Sequence, residues 1–213
     1  MLKTIEQENI QTLHPARPEY PPLLKEINDP PAILYVKGDV KSLSSSKIIS
    51  VVGTRKISPY GERHAHKICF ELAQNGFCIV SGLALGIDAI AHRATLEAQG
   101  QTVAVLATGI NQSSVTPKSN INLYNNIINN GGAVISEFPL GTEGLKHHFP
   151  QRNRIIAGLS LGTLVVESNI PSGALITAYH ALDYNREVLA VPGPIDSIAS
   201  RGPNDILKKG AKI

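Results

Sequence analysis

The sequence predicts an α/β fold: a doubly wound, mostly parallel sheet with helices on both faces and a short proline-rich N-terminal arm. Three observations predict it. From residue 46 onward, short β-branched and apolar runs read as strands buried on both faces, because they are continuous rather than alternating. Segments of helical length and periodicity separate them. Nearly every run ends in glycine or a small hydroxyl residue, as strand-to-helix turns require.

Residues 1–45 read as an extension packed on this core. "HPARPEYPPLLKEINDPPAILYVKGD" is rich in proline, which suppresses regular helix, and holds one strand-like run, Ile33 to Val36. The domain proper is then 46–213. "KIISVVGTR" supplies its first strand. A helix follows, capped by Ser58 with Pro59 at its first position; Ala65, Ile68, Cys69, Leu72 and Ala73 form its apolar stripe and Gly76 ends it. "FCIVSG" is a second strand, "GIDAIAHRATLEAQG" a helix, and "TVAVLATG" a third strand. The polar stretch "INQSSVTPKSN" leads to a helix near Leu123 to Asn130, then to the strand "GAVISEF". "LKHHFPQRNRIIAGLS" gives a helix from Phe149 or Pro150, followed by the strand "GTLVVES", the helix "GALITAYHALDYN", the strand "EVLAVPG" and a short terminal helix. Strand–helix alternation of this kind is an extended Rossmann-like arrangement.

Composition narrows the function classes. The chain has 213 residues, 42% hydrophobic and 17% charged, with a formal net charge of +3. That suffices for a real core and excludes a disordered or supercharged chain. An anionic partner would have to be met by a local patch. Cys69 and Cys78 lie in apolar segments and read as buried free thiols. The N-terminus lacks an apolar signal region and no run reaches the length of a membrane span, so a cytoplasmic protein is expected.

In doubly wound sheets ligands bind beyond the carboxyl ends of the strands, where the strand order switches. The residues predicted there are Gly53-Thr54-Arg55, Ser81-Gly82, Thr108-Gly109, Ser136-Glu137, Glu167-Ser168 and Pro192-Gly193. Small residues leave backbone amides accessible, and helix N-termini favour anions, so together they suggest an anion-binding rim. "SGLALG" is not the G-x-G-x-x-G fingerprint, and no Gly-Lys-Ser/Thr loop is present, so dinucleotide and ATP sites have little support and no cofactor is expected. Arg55 suits a bidentate phosphate contact, or else an ion pair with Glu137. Ser172-Gly173 opens a helix that either holds a phosphate or is simply capped by Ser172. Lys146, His147, His148, Arg152 and Arg154 surround Phe149 with no acid among them. Two arginines in the first turns of a helix oppose its macrodipole unless an anion is bound. Phe149 is either a hydrophobic staple against Ile155 or a platform for a stacked base. The histidines read as solvated rather than as metal ligands. Asp88, His92, Glu137, Glu167 and His180 are the candidate acids and bases; Asp88 and His92, four apart on a helix, read as an internal pair. No nucleophile elbow, metal triad or certified carboxylate pair emerges.

The blocks "VGTR", "SPYG", "IVSGLALGIDAIAH", "ISEFPLGT", "FPQRNRIIAGLS", "VVES…SGALITA" and "VPGP…GPNDILKKGA", in this order, closely resemble the DNA processing protein A family, also called DprA or Smf. The resemblance covers roughly residues 17 to 213. It implies a non-enzymatic protein that binds single-stranded DNA, protects incoming strands in natural transformation, loads the RecA recombinase and works as a homodimer. By carry-over Arg55 and Lys146 contact phosphate, Phe149 stacks on a base, and Arg152, Asn153 and Arg154 shape the pocket. The tail around Leu207 falls where the family places self-association and recombinase contacts. Three departures stand out. "GINQSSVTPKSN" lacks the Asp and Tyr-Pro usual after the third strand, which puts DNA contact from that loop in doubt, and neither a C-terminal winged-helix-like domain nor an N-terminal helical extension is present. The competing expectation is an enzyme, a nucleoside-monophosphate phosphoribohydrolase of related fold, although its Pro-Gly-Gly-x-Gly-Thr-x-x-Glu motif has only a loose echo in "PSGALIT".

Overall fold

The computed structural model describes residues 8–213; the first seven residues of the expected arm lie outside it. Its centre is a sheet of eight strands: β1 (Gln11–Leu13), β2 (Leu34–Gly38), β3 (Ile48–Val52), β4 (Cys78–Ser81), β5 (Thr102–Val105), β6 (Ala133–Ser136), β7 (Gly162–Val165) and β8 (Glu187–Ala190), in the order β1-β2-β6-β5-β4-β3-β7-β8. The six strands from β3 onward are parallel. They are the six runs predicted, and the α/β class holds. β2 pairs antiparallel with β6, and β1 antiparallel with β2. The proline-rich segment thus contributes two strands to the sheet. Its prolines fall in the connection between them, leaving the proline-free stretches 11–13 and 34–38 to pair.

Among the described residues six helices connect the strands, α1 (Pro22–Lys25), α2 (Pro59–Gln74), α3 (Ile87–Glu97), α4 (Ile121–Asn129), α5 (His148–Gly158) and α6 (Gly173–Asp183), and a seventh, α7 (Arg201–Lys208), follows β8. The period-2 pleat sends successive strand residues to opposite faces. Val51, Ile79 and Leu164 pack under α2 and α3, while Val52, Val80 and Val165 pack under α5 and α6. The core is therefore two layers, one on each side of the sheet. Ser58 caps α2 by accepting a hydrogen bond from the Gly61 amide, with Pro59 at the first position as predicted. Gly76 ends that helix with a φ of 79°. Cys69 and Cys78 are buried free thiols, pushed up to about 12 by burial. No helix among the described residues is long and apolar enough to cross a membrane.

The chain lays β3 to β6 outward in one direction, then crosses back to place β7 and β8 on the other side of β3. The switch point lies between β3 and β7, where the connections leaving the two strands go to opposite faces of the sheet.

Candidate functional site

A cavity of about 610 Å³ opens at that switch point. Gly53 ends β3 where an added Cβ would lie 2.5 Å from Ile87 Cγ1 and 2.9 Å from the Glu167 carbonyl oxygen. The missing side chain lets the Thr54 amide donate to that carbonyl at 2.7 Å, lacing β3 to the end of β7. The Thr54 hydroxyl turns back to accept the Lys56 amide at 3.1 Å. Arg55 is thereby thrown outward at the mouth, its guanidinium 5.1 Å from the centre of the half-buried Phe149 ring. A cation over an aromatic face is attractive and holds the ring in place. Lys146, exposed, lines the same mouth.

The opposite wall is the start of α6. Ser172 caps it, its hydroxyl accepting from the Leu175 amide at 3.3 Å. The amides of Gly173 and Ala174 belong to the first turn, which has no intrahelical acceptors. Asn153 donates from its side-chain nitrogen to the Gly173 carbonyl at 3.1 Å, fixing α5 against this turn. Gly53, Thr54, Arg55, Lys146, Phe149, Arg152, Asn153, Ser172 and Gly173 all line the cavity. Asn169, Pro171 and Ile176 join them, and no local sequence pattern marks these three. A smaller recess of about 80 Å³ lies beyond Phe149, bounded by Gly82, Leu85, Thr116 and Pro117, so Phe149 and Arg55 border both spaces.

Other predicted residues sit elsewhere. Ser81 is buried and its hydroxyl donates to the Val51 carbonyl at 2.6 Å. Gly109 lies in the loop beyond β5, its amide bonded to the Thr142 carbonyl at 2.9 Å. Neither lines the cavity. Arg152 lines it, but its guanidinium points inward and donates to the Gly82 carbonyl at 2.7 Å and to the Val105 carbonyl. It ties the ends of β4 and β5 together. Burial lowers its pKa to about 10, while the nearby Asp88 carboxylate favours the charge. Arg154 makes a bidentate pair with Glu137 and a further bond from Nε to Asp29 at 2.7 Å.

These contacts correct four expectations. α5 starts at His148, one or two residues earlier than read, so Arg152 and Arg154 lie beyond its first turn. Arg154 is fully bonded to carboxylates, and Arg152 donates from Nη1 to two carbonyls, its buried Nε left without a partner. Neither guanidinium is offered to an anion at the helix start, so the macrodipole argument loses its basis. Glu137 pairs with Arg154, not Arg55. Asp88 does not pair with His92: it accepts the Gly82 and Ala84 amides at 3.2 and 3.4 Å, whereas His92 Nδ1 meets the Thr102 hydroxyl at 2.6 Å. His148 is buried against Phe138, ring centres 4.2 Å apart, rather than solvated.

The candidate carboxylates are similarly occupied. Glu167, 2% exposed, accepts the Ser58 amide and hydroxyl at the start of α2. The protein's own anion thus fills that helix terminus, whereas the start of α6 faces the cavity. Burial pushes Asp88 and Glu137 above the usual carboxylate range, against the pull of Arg152 and Arg154 respectively. What remains accessible is cationic, aromatic and amide-rich: Arg55, Lys146, Phe149 and the first turn of α6. That set suits an anion carrying a planar ring.

A family model described as DNA recombination-mediator protein A matches residues 11–213. Protein Smf of Escherichia coli (strain K12) is 46% identical over 208 residues, which is 97% of this chain and 54% of that protein. The chain therefore spans about half the length of that relative. The X-ray structure of DNA processing protein A from Streptococcus pneumoniae matches with a TM-score of 0.90 at 38% identity, covering 100% of this chain and 74% of that one. The Helicobacter pylori DNA processing protein A, described as having a unique single-stranded DNA binding mode, matches with a TM-score of 0.85 at 30% identity, covering 96% and 89% of the two chains.

Proposed function

The chain belongs to the DNA recombination-mediator protein A family, and from that premise we propose that it binds single-stranded DNA in the cavity between β3 and β7. The observation that carries the reading is the arrangement at its mouth. The Arg55 guanidinium lies 5.1 Å from the Phe149 ring centre, and Lys146 lines the same opening. Arg55 and Lys146 take phosphates, Phe149 takes the face of a base, and the Gly173 and Ala174 amides are available to a second phosphate. Arg152, Asn153 and Arg154 hold the walls. The reading is one of binding without catalysis. It is supported by the engagement of Asp88, Glu137 and Glu167 with protein donors.

The test is titration of oligo-dT against duplex DNA of equal length at several salt concentrations. Single strands should bind more tightly, with log K falling by ~0.7 per log unit of salt for each phosphate neutralised. Arg55→Ala and Lys146→Ala should each weaken binding and flatten that dependence. Wild-type behaviour of both variants would remove the site assignment. Release of free base from nucleoside monophosphates would instead favour the phosphoribohydrolase reading.

We further read the protein as a homodimer that protects incoming strands and loads the RecA recombinase in the cytoplasm. This rests on family membership. The exposed apolar face of α6, with Tyr179 and Leu182 43% and 57% exposed, lies beside the terminal helix and offers a surface for such contacts. Light scattering showing one copy in solution, or no stimulation of RecA filament assembly, would overturn it.

A further inference from the structure

A second charged groove lies outside this cavity, between the parallel helices α2 and α3. It has a volume of about 390 Å³ and is lined by Glu62, Arg63, His66, Lys67, Ile90 and Arg93. Arg63, Lys67 and Arg93 are exposed, and Ile90 forms an apolar floor, 8% exposed. Three cations face one carboxylate in the lining. His66 is taken by Glu97 at 2.7 Å, and Lys67 reaches Glu71 only at 4.0 Å, an exposed pair of little strength. Arg63 and Arg93 have no acidic partner among the described residues.

The helices that form the groove both start near the cavity's mouth, α2 four residues after Arg55. Gly86 starts α3 at a φ of 80°, and an added Cβ there would lie 2.2 Å from the Thr54 carbonyl oxygen and 2.8 Å from the Arg55 Cα. The Ile87 amide donates to that same carbonyl at 3.2 Å. The amino end of α3 is thus pressed against the loop that carries Arg55. At 1.5 Å per residue, Arg63, Arg93 and Lys67 lie about 6, 9 and 12 Å along their helices from this rim. A strand leaving the cavity past Arg55 toward these helices would meet cations of both in succession, over an apolar floor.

We propose that the α2–α3 groove binds the sugar-phosphate backbone of the same DNA strand where it leaves the cavity. The groove extends the site from a pocket for a few nucleotides to a track. The inference rests on the proposed function. It commits to nucleic acid because the free groups are cations adjoining a proposed phosphate site, with no matching acidic row to pair a basic partner.

The experiment compares short and long strands. Binding of dT6 and dT25 is measured by fluorescence anisotropy for the wild type and for Arg63→Gln, Arg93→Gln and their double variant. All these side chains are exposed, so unchanged thermal unfolding serves as the check on folding. The double variant should bind dT6 like the wild type, bind dT25 several-fold more weakly, and lose about 1.4 from the salt slope for dT25, two phosphate contacts' worth. Unchanged binding of dT25 would overturn the proposal and leave the groove to an acidic protein. Equal weakening for both lengths would also overturn it, by showing a general field rather than a track. Failure of the wild type to bind either strand would instead bring down the proposed function, and this proposal with it.

Discussion

Arg154 shows how a basic side chain becomes structure. Its guanidinium, 10% exposed, joins Glu137 at the end of β6 to Asp29 in the proline-rich segment. Removing one partner of a buried pair leaves the other charged and poorly hydrated, which typically costs about 3–5 kcal/mol. Arg154→Leu should therefore lower the urea midpoint markedly. Glu137 already has a raised pKa from burial, and without the guanidinium it would rise further. Protonation relieves the stranded charge, so the variant's deficit should shrink as pH falls from 7 to 5; a deficit constant with pH would show that Glu137 is not its source. None of this was legible locally. The run "LKHHFPQRNRIIAGLS" marks a basic island, but the acceptors of its arginines lie at Asp29, Gly82, Val105 and Glu137. Arg55 was legible because its placement needs only the strand before it and the glycine that ends that strand.

At the scale of elements, the local signals held wherever the controlling residue was near in sequence. Ser58, Pro59 and Gly76 bound α2 as read, and Ser172 caps α6. β1, three residues long with the sequence QTL, carries no continuous apolar run. The positions of the six parallel strands followed from such runs. The pairing of β2 with β6 did not, because strands almost a hundred residues apart leave no shared pattern. The start of α2 carries a cost if disturbed. Ser58 caps the helix and also donates to Glu167 beneath β7. Ser58→Ala removes both bonds and should destabilise by roughly 1–2 kcal/mol, the upper part of the range for a lost cap. The Glu167 carboxylate would keep the Ser58-position amide. Equal urea midpoints for wild type and variant would show that the serine hydroxyl contributes nothing.

For the molecule as a whole, pH response is set by groups sealed between sheet and helices. His92 is fully buried, and burial together with Arg152 lowers its pKa from 6.5 to about 3. The unfolded chain takes up this proton near 6.5 while the folded one resists it. Stability from His92 is therefore present above 6.5 and lost as pH falls toward 3, by up to about 1.4 kcal/mol per pH unit. Asp88 and Glu137, with raised pKa values, act in the opposite sense. Their contribution is present at low pH and lost as pH rises through their folded values. Urea midpoints should fall between pH 6.5 and 5, and His92→Gln should flatten that fall; an equally steep fall in the variant would exonerate the histidine. The sheet order has another consequence. β6 ends the parallel array on one side, and among the described residues the antiparallel pairing of β2, backed by β1, covers its outer row of amides and carbonyls. A chain begun at residue 46 would present that row bare, as a template on which other chains could add. The proline-rich segment is therefore a guard against aggregation: its removal would cost solubility before it touched the proposed DNA-binding face.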